Sequence, residues 1–513
     1  MAAAAAATAA AAASIRERQT VALKRMLNFN VPHIKNSTGE PVWKVLIYDR
    51  FGQDIISPLL SVKELRDMGI TLHLLLHSDR DPIPDVPAVY FVMPTEENID
   101  RMCQDLRNQL YESYYLNFIS AISRSKLEDI ANAALAASAV TQVAKVFDQY
   151  LNFITLEDDM FVLCNQNKEL VSYRAINRPD ITDTEMETVM DTIVDSLFCF
   201  FVTLGAVPII RCSRGTAAEM VAVKLDKKLR ENLRDARNSL FTGDTLGAGQ
   251  FSFQRPLLVL VDRNIDLATP LHHTWTYQAL VHDVLARKLD VYFEYEEKIM
   301  SKTTLDKSLL DIISDPDAGT PEDKMRLFLI YYISTQQAPS EADLEQYKKA
   351  LTDAGCNLNP LQYIKQWKAF TKMASAPASY GSTTTKPMGL LSRVMNTGSQ
   401  FVMEGVKNLV LKQQNLPVTR ILDNLMEMKS NPETDDYRYF DPKMLRGNDS
   451  SVPRNKNPFQ EAIVFVVGGG NYIEYQNLVD YIKGKQGKHI LYGCSELFNA
   501  TQFIKQLSQL GQK

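Results

Sequence analysis

Short apolar runs that end on an acidic or turn residue recur along the chain. A clear example is Leu257–Val261, which is followed directly by Asp262 and Arg263. An apolar run of this length between turn residues is typical of a strand buried on both faces inside a parallel sheet. The polar turn then lies at the carboxyl end of the strand, where open α/β sheets usually place their functional groups.

The first part of the chain alternates between such runs and helical patterns. Strands are predicted for three runs, Trp43–Asp49, Leu72–Asp79 and Val89–Thr95. The segment 57–69 between the first two has helical spacing and closes on a glycine, and a further helix is predicted from Glu96. Strands that alternate with helices of this length predict a parallel sheet with right-handed crossovers.

A second α/β pattern follows and is completed only at the end of the chain. Strands are predicted at Phe161–Cys164 and Val207–Cys212, with a long apolar helix at Met186–Leu204 between them. The run Leu257–Val261 joins this set, and residues 461–507 have a strand–helix–strand–helix pattern. We therefore predict a second domain that is discontinuous in sequence.

The region between these two parts is predicted to be almost entirely helical. Helical patterns cover Asp306–Ile313, Glu322–Ser334 and Glu341–Asp353. The segment Ala374–Pro387 is rich in Ser, Thr, Pro and Gly and predicts a mobile linker. A second polar stretch, Lys429–Asn457, carries many charges and few large aliphatic side chains.

Composition narrows the classes of function. A chain of 513 residues is too long for one core and is expected to form roughly two to four domains. The formal net charge of -5 shows no basic excess, so we expect no nucleic-acid partner. The 6 cysteines are scattered singly, which is typical of buried thiols in a reducing compartment rather than of a disulfide framework or a zinc site. No apolar run reaches the roughly 18 residues of a transmembrane helix.

The N-terminal segment is rich in alanine. The stretch MAAAAAATAAAAAS lacks the basic start and the leucine-rich core of a signal peptide. Alanine favours helix but offers little surface to bury, so residues 1–30 are expected to form a disordered or frayed arm. We therefore expect a cytoplasmic protein.

Two groups of residues are candidate catalytic sites. Gly468–Gly470 lies between a predicted strand and a predicted helix, as in a loop that binds phosphate. Its spacing matches neither GxxxxGK[ST] nor GxGxxG, so a flexible turn is the simpler interpretation. His272 and His273 lie near Asp262 and Asp266 in sequence, but no second pair stands at metal-ligand spacing, and helix capping is the simpler role. A nucleotide-dependent α/β enzyme that uses the glycine loop stays as the alternative hypothesis.

Apolar faces that could bind a peptide are better represented. Leu127, Ile130 and Ala131 are spaced to share one face of a helix. A second helical face is predicted from four residues further along: Val143, Val146, Phe147 and Tyr150. Two adjacent helices with small residues between them can form a shallow groove for a short peptide anchor. Packing in an ordinary core is the competing interpretation, since helical stripes usually face a core.

Residues 388–411 carry a broad apolar stripe at helical spacing. Its members are Leu390, Leu391, Val394, Phe401, Val402, Val406 and Leu409. The opposite face is mostly polar and largely uncharged. Because a predicted mobile linker precedes it, such a helix can lie on a loosely packed membrane or fold down as a lid over its own domain. Packing within the helical domain is the third interpretation, which a hydrophobic stripe does not exclude.

Four segments resemble the Sec/Munc (SM) family of SNARE-binding proteins, specifically its Sly branch of ER–Golgi trafficking. They are VWKVLIYDRFGQDIISPLL, VFDQYLNFITLEDDMFVL, PLLVLVDRNIDLATPLHHTWTYQALVHDVL and IVFVVGGGNYIEYQNL, and they span nearly the whole chain in the right order. The resemblance implies a three-domain arch of class α/β, with two parallel-sheet domains and a mostly helical third domain inserted into the second. The boundaries that we expect are 31–155 for the first domain, 156–285 with 456–513 for the second, and 286–455 for the third.

The resemblance implies a function without catalysis, cofactor or metal. Family members bind a syntaxin and assist assembly of the SNARE bundle that fuses vesicle and target membranes. In the Sly branch, the first domain takes a short N-terminal peptide of a syntaxin of the syntaxin-five class, whose aromatic residue enters an apolar pocket. The positions that match this pocket are Leu127, Ile130, Ala131, Val143 and Val146. Tethering factors are further implied partners, and the implied location is the cytoplasmic surface of ER and Golgi membranes.

The third domain of the Sly branch also carries a long lid, similar to residues 374–449 here. Its amphipathic helix, which corresponds to Leu390–Leu411, can contact membrane in such proteins. One departure from the family pattern follows Leu285, which runs directly into ARKLDVYFEYEEK. Relatives have a long segment there, including much of the helical third domain that grips SNARE helices. Peptide binding is expected to survive this loss, whereas SNARE templating and the integrity of the third domain depend on the absent segment.

Overall fold

A computed structural model of the chain describes most of its residues. These are residues 14–31, 41–163, 170–235, 240–241, 255–272, 295, 298–299, 305, 307–317, 319–335, 339–374, 415–444 and 457–512. The chain divides into two compact units. The first comprises residues 1–168, 192–207 and 227–253, and the second comprises residues 169–191, 208–226 and 254–513. Within the described ranges, no helix is long and apolar enough to cross a membrane.

The first unit is built on a parallel sheet. In chain order its elements are α1 (Ile15–Leu27), β1 (Lys44–Tyr48), α2 (Arg50–Ile56), α3 (Val62–Asp67), β2 (Ile70–Leu75), β3 (Ala88–Val92), α4 (Glu96–Arg107), β4 (Tyr114–Phe118), α5 (Arg124–Ala136), β5 (Val143–Asp148), β6 (Ile154–Glu157) and β7 (Met160–Val162). Five strands pair in the order β2-β1-β3-β4-β5, and these pairings are all parallel. The parallel sheet predicted for this part of the chain is confirmed. Strands β6 and β7 pair antiparallel with each other.

The central strands are buried on both faces, as their continuous apolar runs predict. Every residue of β1 and β3 is buried. Alternate residues of the strands, among them Val45, Tyr90 and Leu116, pack with α4 and α5 in one hydrophobic core. Since neighbouring side chains on a strand point to opposite faces, the other half of each strand requires a second layer of cover.

The acidic residue that ends the first predicted strand is a structural cap. The carboxylate of Asp49 accepts hydrogen bonds from the amide nitrogens of Gly52 and Met93, both at 2.8 Å. It also accepts one from Asn98 Nδ2 at 2.8 Å. Burial raises the pKa of this carboxyl above its ordinary value. Asp49 therefore begins helix α2 and links the exits of β1 and β3 to α4.

Helix α1 differs from the frayed arm predicted for residues 1–30. Ser14 and Glu17 form a capping box, in which the Glu17 amide donates to Ser14 Oγ at 3.1 Å and the Ser14 amide donates to Glu17 Oε2 at 3.0 Å. Leu23 is completely buried. The prediction is therefore wrong from Ser14 onward, because the alanine tract that motivated it ends before this helix begins. Residues 1–13 lie outside the described part.

The second unit carries the other sheet and most of the remaining helices. In chain order its elements are α6 (Tyr173–Asn177), α7 (Asp183–Leu204), β8 (Ile209–Cys212), α8 (Ala217–Arg234), β9 (Leu257–Asp262), α9 (Leu309–Ser314), α10 (Pro321–Ser334), α11 (Glu341–Asp353), α12 (Asn359–Ala374), α13 (Pro417–Met426), β10 (Arg438–Phe440), β11 (Glu461–Val467), α14 (Tyr472–Lys483), β12 (His489–Cys494) and α15 (Ala500–Leu510). Helices α7 and α8 have residues in both units. Two short 3₁₀ turns, Arg263–Ile265 and Thr269–Leu271, follow β9.

The strands of this unit come from distant parts of the sequence. Their order is β10-β8-β9-β11-β12. β9 pairs in parallel with both β8 and β11, so Leu257 lies opposite Ile209 on one side and Ala462 on the other. The prediction that the C-terminal segment completes the sheet containing Leu257–Val261 is confirmed. The three-domain boundaries predicted above stay a prediction.

Residues 417–440 differ from the lid predicted for 374–449. Helix α13 buries Val418 and Leu422 completely, and β10 pairs antiparallel with β8. The guanidinium of Arg211 on β8 donates from Nε to the carbonyl of Arg438 at 3.1 Å. This part of the predicted lid belongs to the sheet layer of the second unit, because the spacing of its apolar residues gives α13 a face to bury.

The glycines that follow β11 are enclosed by side chains. A Cβ atom on Gly469 would lie 2.0 Å from Phe498 Cε1, and one on Gly470 would lie 2.2 Å from the Tyr492 hydroxyl. Gly469 also has φ +104, a conformation that other residues rarely adopt. Close packing therefore explains these glycines.

We expect Leu23→Ala to lower the free energy of unfolding of the first unit by about 2–5 kcal/mol, because it leaves a cavity beneath α1. Val21→Ala in the same helix is the matched control, since Val21 is exposed and its loss should change stability by no more than about 0.5 kcal/mol. Urea unfolding followed by circular dichroism measures both. Equal midpoints for the two variants would show that α1 is not part of the folded unit.

We expect Gly469→Ala to destabilise the second unit by about 3 kcal/mol or more, because backbone strain and a clash with Phe498 add together. Gly487→Ala is the control: Gly487 has φ +75 but no atom within 4 Å of the added Cβ, so only the strain of about 1–2 kcal/mol applies. Thermal unfolding compares the two, and a Gly469→Ala variant as stable as Gly487→Ala would contradict the packing described for this loop.

Candidate functional site

Helix α5 presents one face to the core and leaves apolar side chains on its other face. It begins after Ser123, whose Oγ accepts from the Lys126 amide at 3.5 Å. Ile130 is only 3% exposed and packs in the core of the first unit. Leu127, one turn earlier, is 37% exposed, and Ala131 is also exposed. Of the predicted pocket residues on this helix, Ile130 is a core residue, whereas Leu127 and Ala131 are available at the surface.

The second predicted helical face is wrong, because residues 143–148 form the strand β5. Val143 lies opposite Tyr114 of β4, and Val146 lies opposite Leu116. The register shifts by one residue between these pairs. Residues three apart on a regular strand point to opposite faces, but one extra residue in the strand restores them to the same face. The bulge thus places Val143 and Val146 on the side of the sheet that α5 covers.

The other two members of that predicted face are not part of this surface. Phe147 lies opposite Asn117, and so it points to the other side of the sheet. Tyr150 follows the strand with φ 53, and its ring lies 6.0 Å from that of Phe198. Of the four predicted residues, Val143 and Val146 therefore lie on the α5 side of the sheet, whereas Phe147 and Tyr150 do not.

The α5–β5 region concentrates exposed apolar surface. Ten large hydrophobic side chains are exposed among the described residues, and four of them fall within residues 127–146. These four are Leu127, Leu135, Val140 and Val146. β5 is an edge strand, so no further strand of this sheet covers it. An apolar patch of this kind on a folded unit is typical of a binding surface. We call the α5–β5 patch the surface formed by Leu127, Ala131, Leu135, Val140 and Val146, with Ile130 and Val143 beneath it.

Polar contacts fix the part of the patch where α5 begins and β5 ends. The Asp148 carboxylate accepts a hydrogen bond from the Ile122 amide at 3.1 Å, which ties the end of β5 to the segment before α5. Burial raises the pKa of Asp148 above its ordinary value. Arg124 and Glu128 form an exposed ion pair at 2.9 Å. The patch therefore offers an apolar surface with charged groups at one end, which suits a short peptide with an apolar anchor.

The glycine loop has no geometry for holding a phosphate. The Gly468 amide donates to Ser495 Oγ at 3.0 Å, and the Gly470 amide donates to the Glu496 carbonyl at 2.8 Å. A phosphate-binding loop needs backbone amides that are free to point at the ligand. Since these two amides are already engaged, the structure gives no support to the nucleotide-dependent alternative.

The polar turn after β9 is a scaffold. Arg263 Nη2 lies 2.7 Å from Glu474 Oε1, and both side chains are fully buried. Tyr492 donates its hydroxyl to Glu474 Oε2 at 2.7 Å. Burial raises the pKa of the Tyr492 phenol well above its ordinary value, so the phenol keeps the proton that it donates. These contacts join the end of β9 to α14 and β12.

The acidic residues of this turn are caps, as the simpler interpretation predicted. Asp262 accepts from the amides of Asn264 at 2.8 Å and Ala217 at 3.1 Å. Asp266 accepts from the amides of Ala268 and Thr269, both at 3.0 Å. In the described part of the chain, no group of three or more His, Cys, Asp or Glu side chains is placed to hold a metal ion.

The stripe predicted to act as a membrane contact or lid lies outside the described residues. It comprises Leu390, Leu391, Val394, Phe401, Val402 and Leu409. Its role stays a prediction from sequence.

Two residues of the α5–β5 patch were not predicted from the sequence. Leu135 and Val140 were not predicted to belong to it, although both lie beside residues that were. The segment VAKVFD (Val143–Asp148) carries β-branched and aromatic residues, which favour a strand. That signal was available, but the bulge breaks the strict alternation that would have made it clear.

The sequence matches the model of the Sec1 family over residues 44–287 and 286–506. The Sec1 family domain-containing protein 1 of Homo sapiens is 80% identical over 642 aligned positions, which cover 100% of both chains. The protein sly1 homolog of Drosophila melanogaster is 47% identical over 629 positions, covering 97% of this chain and 98% of the relative.

A solved structure has the same fold. The crystal structure of Sly1p in complex with an N-terminal peptide of Sed5p superimposes with a TM-score of 0.74 at 27% identity, covering 98% of this chain and 99% of that one. The resemblance inferred from four sequence segments is therefore confirmed over nearly the whole length. The chain belongs to the Sec1 family.

Proposed function

We propose that the chain regulates SNARE assembly in ER–Golgi transport by binding the N-terminal peptide of a syntaxin through the α5–β5 patch. The single observation that carries this proposal is the relative Sly1p, whose crystal structure contains an N-terminal peptide of Sed5p. That relative shares 27% identity and aligns with 98% of this chain. Membership of the Sec1 family indicates a binding regulator and no enzymatic activity.

The α5–β5 patch supports the assignment of the site for physical reasons. Val146 and Leu127 expose apolar surface on β5 and α5, and the proposed base of the site is Ile130 with the partly buried Val143, which pack in the core of the same unit. An aromatic side chain that covers such a surface gains free energy in proportion to the apolar area removed from water, at about 25 cal/mol per Å². A preformed base keeps the cost of ordering the site low.

We further propose that the syntaxin brings the chain to ER and Golgi membranes. The peptide would supply the attachment, since the described residues contain no helix able to span a membrane. The amphipathic stripe at 390–409 would add a second membrane contact, and the assembled SNARE bundle and tethering factors would be later partners.

We expect Val146→Lys to weaken binding of a syntaxin-five-class N-terminal peptide at least tenfold, which corresponds to about 1.4 kcal/mol. The substitution places an ammonium where an apolar anchor would bury it. The unit should stay folded, because Val146 is 40% exposed. Leu72→Lys is the matched control, since Leu72 is 38% exposed on β2, the opposite edge strand of the same sheet, and should leave affinity unchanged. Titration calorimetry with the full chain measures both.

Leu127→Lys provides an independent test from the helix side of the patch. If Val146→Lys and Leu127→Lys both bind the peptide as tightly as the parent, the peptide site lies elsewhere. Ile130→Lys is unsuitable for this purpose, because Ile130 is a core residue and a buried ammonium there would disrupt the fold itself.

A further inference from the structure

The human relative is longer than this chain by an internal segment. Its alignment has 642 positions against a chain of 513 residues, so 129 positions have no counterpart here. An identity of 80% over those 642 positions accounts, within rounding, for all residues of this chain. The difference from this relative therefore lies almost entirely in the absent positions.

The position of the break follows from the family match. The match stops at residue 287 and starts again at residue 286, within the range of the second unit. We call residues 286–287 the seam. It coincides with the departure after Leu285 that was noted in the sequence. The first unit, with the whole α5–β5 patch, lies on one side of the seam and is not interrupted by it.

Residues before and after the seam share one hydrophobic core. Leu267 and Leu271 precede it, and α9, α10 and α12 follow it. Buried members of this core from both sides are Leu267, Leu271, Leu309, Phe328, Leu361 and Ile364. A core of this kind forms only if the two sides pack directly on each other. The helices after the seam thus bury their apolar faces without the absent segment.

A buried hydrogen bond joins a turn that precedes the seam to a helix that follows it. Arg326 on α10 donates from Nε at 3.1 Å and from Nη2 at 2.9 Å to the carbonyl of Leu271. Arg326 is buried, so this carbonyl is satisfied inside the protein. The end of the 3₁₀ turn Thr269–Leu271 is therefore attached to a helix that follows the seam.

The helices after the seam are also attached to the rest of the second unit. The hydroxyls of Tyr173 and Tyr363 lie 2.9 Å apart, which links α6 to α12. Asn357 Nδ2 donates to Ser508 Oγ on α15 at 2.8 Å. Contacts on three elements distant in sequence hold α10 and α12 in place.

We propose that this chain is a shortened, folded form that occupies the syntaxin N-terminal peptide in competition with the longer relative. In the described part of the second unit, residues before and after the seam share one core, and the first unit keeps the α5–β5 patch intact. The chain then holds the same peptide but cannot make any contact that the absent 129 positions supply. This inference rests on the proposed function, since it requires that the patch bind the peptide.

The packing of residues before the seam against helices after it is tested first, without any peptide. We expect Arg326→Met to lower the melting temperature of the second unit by roughly 4–10 °C, because it leaves the buried Leu271 carbonyl without its donor. Arg214→Met is the control, since Arg214 pairs with Asp436 at an exposed position of the same unit. Hydrogen-exchange mass spectrometry of the parent should show slow exchange in α10 and α12. Rapid exchange throughout α10 and α12 would overturn the inference and leave the proposed function untouched.

Competition for the peptide is tested next with a fluorescent syntaxin-five-class N-terminal peptide bound to the human relative. The chain should displace the relative with a dissociation constant within about threefold of that of the longer protein. A chain with slow exchange in α10 and α12 that binds the peptide more than tenfold more weakly than the relative would overturn the inference. If neither protein binds the peptide, or if Val146→Lys displaces as well as the parent, the failure belongs to the proposed function or its site.

Discussion

Burial of both faces of a parallel sheet is the constraint on which the rest of the structure depends. Continuous apolar strands such as β3 and β9 have no solvent-facing side, so each needs a helical layer above and below it. In the first unit, α4 and α5 supply one layer, and Val143 of the edge strand β5 packs against the same core. Leu127 and Val146 are not members of this core, and both are partly exposed.

The same constraint explains why described residues before and after the seam pack in one core of the second unit. β9 and β11 are buried along nearly their whole length, and the core beyond the 3₁₀ turn at Leu271 is filled by helices that follow the seam. The ion pair between Arg263 and Glu474 joins the carboxyl end of β9 to α14. An ion pair with both members buried adds little net stability against apolar residues of equal size, but removing either member leaves an unpaired buried charge. The polar turn after the apolar run Leu257–Val261 therefore has a structural role: it joins β9 to α14.

Sequence patterns predicted the elements whose apolar residues follow one clear pattern, either a continuous run or helical spacing. The run Leu257–Val261 identified β9, and the helical spacing of Glu341–Asp353 matched α11 residue for residue. Predictions failed where a local feature concealed the signal. The bulge in β5 gave its valines the spacing of a helix, and an alanine tract hid the capping box of α1. The burial of Ile130 could not be inferred from spacing, since a helical stripe fits a core and a groove equally well.

The central claim is that the α5–β5 patch receives the syntaxin peptide. The most direct measurement is hydrogen-exchange mass spectrometry of the full chain with and without a saturating syntaxin-five-class N-terminal peptide. We predict slower exchange within residues 124–148, and little change in the strands β1 and β3, which are already buried. Protection confined to another region, with unchanged exchange throughout residues 124–148, would contradict it.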